Sequence, residues 1–68
     1  MEMIGTCYKL TGTGAILRGA DGGRYFLPFT EILAHRPHVG DRFRFDVQTT
    51  DRGPLAVGAK FLEAGVRV

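Results

Sequence analysis

The chain has 68 residues, of which 10 are glycine, 44% hydrophobic and 24% charged, with a formal net charge of +2. A chain of this size buries only about 60% of its unfolded surface, which excludes a multidomain catalyst with a deeply enclosed site. A mean hydropathy of −0.01 with so little net charge excludes intrinsic disorder, and no apolar run approaches the ~20 residues of a membrane helix.

Glycine at about twice the usual ~7% is spread along the chain and brackets short stretches rich in Val, Ile, Thr, Phe and Tyr, a strand-and-turn pattern. The first strand is predicted over Met3–Leu10, bounded by Thr11-Gly12, and a second over Gly14–Arg18. The Asp21-Gly22 pair marks a hairpin leading to a third strand over Arg24–Pro28. That strand should stop near Pro28, which cannot donate a ladder hydrogen bond. Thr30 is placed to cap a single helical turn through Glu31-Ile32-Leu33-Ala34, ended by Arg36-Pro37.

Arg42-Phe43-Arg44-Phe45-Asp46-Val47 alternates charged and apolar residues, so Phe43, Phe45 and Val47 should face a core. Thr49 to Pro54 reads as a loop, and Leu55–Leu62 as a fifth strand, with the course of Glu63 to Val68 left open. These elements predict one all-β domain over residues 1–68, a five-stranded Greek-key barrel of the oligonucleotide/oligosaccharide-binding (OB) type with a helical turn between strands 3 and 4. An SH3-like barrel is the rival. Met1-Glu2-Met3 has no secretory signature, so a soluble cytoplasmic protein without membrane contact is expected.

The chain contains no Ser, Asn or Trp, and its carboxylates fall mostly in turns, so catalysis is not expected. His35 and His38 are spaced as His-x-x-His, but Pro37 breaks the helical geometry that would align them and no third ligand is evident; neither a metal site nor a cofactor is expected. Cys7, the one cysteine, is expected to be a buried, inert thiol. Arg42 and Arg44 read as an edge strand kept soluble by charge.

Five segments carry a resemblance to the cold-shock domain family along nearly the whole chain. Gly5-Thr6-Cys7-Tyr8-Lys9-Leu10 is similar to the family's Gly-Thr-Val-Lys-Trp-Phe; Gly12-Thr13-Gly14-Ala15-Ile16 to its first ribonucleoprotein motif, Gly-Phe-Gly-Phe-Ile; and Tyr25-Phe26-Leu27-Pro28-Phe29 to its second, Val-Phe-Val-His-Phe. Val39-Gly40-Asp41 leading to Val47 resembles Glu-Gly-Gln before a Val-x-Phe-Asp-Val strand, and Arg52-Gly53-Pro54-Leu55-Ala56 resembles Arg-Gly-Pro-Gln-Ala. The resemblance implies an OB barrel that stacks the bases of single-stranded DNA or RNA on exposed aromatic rings.

Several of those rings are missing here. Lys9 stands for the family's Trp, Thr13 and Ala15 for two Phe, and Pro28 for the His. At ~1 kcal/mol for each of these stacks, the loss is about 4 kcal/mol, or roughly a thousandfold in affinity. What is left is weak, sequence-tolerant binding in which Phe26 and Phe29 stack bases, Lys9, Arg18 and Arg24 contact phosphates, and Tyr8 supplies a further ring if the first strand carries a bulge. The alternative is an OB module that has lost nucleic-acid binding and uses the Phe26/Phe29 face for a protein partner or a second copy of itself.

Overall fold

In the computed structural model, which describes residues 2–32 and 35–65, the strands are β1 (Glu2–Leu10), β2 (Gly14–Gly19), β3 (Arg24–Pro28), β4 (Arg42–Thr50) and β5 (Gly53–Glu63). A 3₁₀ turn (Phe29–Glu31) follows β3. The strands close in the order β1-β2-β3-β5-β4, with β4 pairing back onto β1. All neighbours are antiparallel except β3 and β5, which meet in parallel at Phe26 and Leu55. This is the five-stranded Greek-key barrel of the OB type.

Alternation along the strands builds the core. Cys7, Ala15, Leu17, Tyr25, Leu27, Phe43, Phe45 and Ala56 are buried inside, together with Ile32 from just beyond the 3₁₀ turn. Val47 packs partly against them, as the charged–apolar alternation of β4 requires. The Tyr25 and Phe45 rings lie 5.4 Å apart across the interior. The Asp21-Gly22 hairpin forms as expected: Gly22 takes φ 82°, and the Gly23 N–H donates to Asp21 Oδ1 at 2.9 Å.

Three sequence expectations are corrected. The turn after β3 starts at Phe29 and is capped by Pro28 rather than Thr30, with no side-chain cap hydrogen bond. It can begin there because Pro28 stays extended (φ −62°, ψ 143°) while the Ile32 N–H already donates to the Phe29 carbonyl. Leu33 and Ala34, where that turn was expected to continue, lie outside the described residues.

The segment 49–54 is not a loop. Thr49 pairs with Pro54 and Thr50 with Gly53, leaving only Asp51 and Arg52 to turn the chain. Gly53 makes so tight a reversal possible with φ 113°, and Thr50 Oγ1 donates to its carbonyl at 2.6 Å. Nor is β4 an edge: it is paired to β1 on one side and β5 on the other. Closure leaves no edge for Arg42 and Arg44 to protect, and Arg42 instead makes an ion pair with Glu63 across β4 and β5 (2.7 Å).

Candidate nucleic-acid interface

Two rows of side chains cross the outer face of β1, β2 and β3. The first is Thr6, Arg18 and Arg24, and the second is Lys9, Ile16 and Phe26, continued by Leu55 of β5. Tyr25 and Leu27 are buried, and Phe26 between them is turned outward and half-buried, as period-2 geometry demands.

Lys9 and Tyr8 reach this face through a break in register. Cys7 pairs with Leu17 but Lys9 pairs with Ile16, so β1 carries an extra residue at Tyr8. Such a bulge lets neighbouring side chains emerge on the same side of the sheet. Tyr8 is exposed as a result, and the Arg18 guanidinium carbon sits 5.3 Å from its ring centroid, an attractive contact of about 0.5–1 kcal/mol at an exposed site.

The face is cationic at close range. Arg18 and Arg24 are exposed and directly paired across β2 and β3, and neither is in an ion pair among the described residues. Like charges in direct register repel, so this pair gains from a bound anion.

Ala15 corrects the expectation drawn from the first motif. It points into the barrel, fully buried and paired with Leu27, so it occupies no stacking position. The outward place opposite Phe26 belongs to Ile16. Thr13 is exposed in the β1–β2 turn, where its carbonyl accepts the Phe29 N–H at 3.1 Å.

Phe26 and Phe29 line separate hollows. Phe26 borders an open groove with Pro28, Leu55, Pro54 and the Asp51-Arg52 turn. Phe29 lines another hollow with Ile32, Arg36 and Pro37. Sequence reasoning missed Arg52 and Arg36 as the cations beside the two rings. The Arg-Gly-Pro segment was the available signal for Arg52, but its position beside Phe26 depends on the parallel contact between β3 and β5.

The connection into β4 also brings together residues that the sequence keeps apart. Asp41 is fully buried, its Oδ2 3.0 Å from His35 Nε2 and 3.7 Å from His38 Nδ1. A third potential ligand therefore does stand beside the His-x-x-His pair. The chain start and end give less: Gly65 packs on Gly40, and residues 66–68, the end of the tail left open by the sequence, lie outside the described residues. No family model matches this chain, and no curated protein sequence does so either.

Proposed function

We propose that this barrel binds single-stranded nucleic acid weakly and with little sequence preference on the outer face of β1–β3. The observation that carries the reading is the in-register pair Arg18 and Arg24, unpartnered by carboxylate among the described residues, next to Phe26 and Tyr8. Guanidinium groups hold the phosphates, and a ring accepts a base of any identity because every base has a π-face. Lys9 adds a cation to the row of Ile16 and Phe26. Phe29 serves a strand that continues past the 3₁₀ turn toward Arg36.

Fluorescence anisotropy with labelled oligo-dT and oligo-U at low salt tests this. Phe26→Ala should weaken binding about fivefold or more, the lower range for loss of one stacked base. Absence of binding by the parent protein at ~100 μM rules the reading out.

A second reading rests on the apolar character of Ile16, Phe26, Leu55 and neighbouring Pro28, which also fits a protein surface or a second copy of the chain. Sedimentation separates the two: self-association predicts a concentration-dependent dimer abolished by Phe26→Asp.

A further inference from the structure

The connection between the 3₁₀ turn and β4 gathers three metal-ligand side chains. His35, His38 and Asp41 place candidate donor atoms within 4.8 Å of one another, and among the described residues no other group of His, Cys, Asp or Glu side chains does so in threes. Tetrahedral bonds of about 2.0–2.1 Å set neighbouring ligand atoms about 3.3 Å apart. The separations from Asp41 Oδ2, 3.0 Å to His35 Nε2 and 3.7 Å to His38 Nδ1, bracket that spacing.

The three groups are held in place by the fold. The Gly40 N–H donates to the Cys7 carbonyl at 2.7 Å and the Cys7 N–H donates to the Asp41 carbonyl at 2.8 Å, tying the turn to β1. The His38 N–H donates to Asp41 Oδ2 at 2.9 Å and fixes the carboxylate. The His35 ring stacks on Phe61 with centroids 3.9 Å apart and planes 29° from parallel. Asp41 is only 1% exposed, whereas the side chains of His35 and His38 are 32% and 54% exposed, so an ion can enter from the solvent side.

We infer that His35, His38 and Asp41 form a site for a divalent transition-metal ion, Zn²⁺ above all, with two imidazole nitrogens and one carboxylate oxygen as ligands and water completing the shell. This donor set suits Zn²⁺ better than the all-oxygen preference of Mg²⁺ or Ca²⁺. His35 binds through Nε2 and keeps its ring proton on Nδ1, while His38 binds through Nδ1, turning slightly at its exposed side chain. The ion replaces the His35–Asp41 hydrogen bond and leaves the His38 N–H bond to the carboxylate in place. The site shares no residue with the arginine face and does not depend on nucleic-acid binding.

The test is isothermal titration of the untagged full chain with ZnCl₂, followed in parallel by histidine-ring NMR. His35 and His38 are the only histidines, so their ring signals report the site directly. The expected result is one ion per chain, a dissociation constant below ~100 μM and both rings shifted. His38→Ala, at an exposed position and checked for folding by circular dichroism, should weaken binding at least tenfold, and His35→Gln should do the same. Binding that fails to saturate by ~1 mM Zn²⁺, or that is unchanged in the folded His38→Ala protein, overturns the inference.

Discussion

Arg18 and Arg24 face each other across β2 and β3, two exposed guanidinium groups in direct register on the outside of the barrel. Like-charge pairing costs stability, while on the proposed binding face it would favour an anion, so one substitution should move the two properties in opposite directions. Arg24→Glu replaces repulsion by attraction and should stabilise the protein by about 0.2–1 kcal/mol, read as a higher urea midpoint with unchanged slope. The same variant should bind oligo-dT more weakly and with a shallower salt dependence, since each phosphate contact to a single strand contributes about 0.7 to that slope. Unchanged oligonucleotide affinity would remove Arg24 from the interface.

Gly14 lies inside β2 opposite Pro28, where a Cβ would overlap the Leu27 carbonyl oxygen and come within 2.8 Å of the Phe26 ring. Backbone cannot yield as a flexible side chain can. Gly14→Ala should therefore cost about 1–3 kcal/mol, as overpacking does, and should displace Phe26, weakening oligonucleotide binding as well. Gly12→Ala, with nothing near its Cβ, is the control and should leave Phe26 and the affinity unchanged. Thermal melts of the two variants provide the comparison.

The Tyr25 hydroxyl donates to Asp21 Oδ2 at 2.6 Å. That bond, with a second from the Gly23 N–H, holds the Asp21 carboxyl below its ordinary value of 3.8. It also raises the Tyr25 phenol above its ordinary 10.0. A lowered carboxyl contributes stability that is complete above the unfolded value and fades as pH falls through the folded one. A raised phenol contributes stability that is complete below its unfolded value and is lost as pH rises through the folded one. The bond should thus support the β2–β3 hairpin fully between about pH 4 and 10 and decline outside those limits. In Tyr25→Phe, carboxyl NMR should show the Asp21 titration moved upward toward 3.8.

Burial pushes the Cys7 thiol above its ordinary value of 9.0, an effect only partly opposed by a backbone hydrogen bond with Lys9. With the thiolate disfavoured and the side chain 1% exposed, a disulfide reagent at pH 8 should label the native protein far more slowly than the urea-unfolded one. Equal rates would show that the β1 bulge opens readily in the native state.

Much of the fold was legible because strand periodicity is local. Phe43 and Phe45 face inward and Arg42 and Arg44 outward as the alternation along β4 dictates, and Asp21-Gly22 made its hairpin from its own backbone preference. The candidate face was only partly legible. Phe26 follows from alternation, but Ala15 was placed on the wrong side because motif similarity does not fix a strand's phase. That phase is set by the pairing of Ala15 with Leu27. Gly5 and Gly14, expected within the first two strands, do lie there and are buried.

The sequence by itself determined a set of short strands, the inward faces of β3 and β4 and the Asp21-Gly22 turn, since each follows from neighbours along the chain. Only the tertiary structure decided the rest. Closure of the ring paired β4 on both sides, the bulge carried Tyr8 beneath Arg18, and parallel pairing of β3 with β5 set the Asp51-Arg52 turn beside Phe26. The burial of Asp41 between His35 and His38 belongs to the same class. A His-x-x-His interrupted by proline has no fixed geometry of its own; Asp41 beside it is held by the backbone bonds that Gly40 and Asp41 make with Cys7, far earlier in the chain.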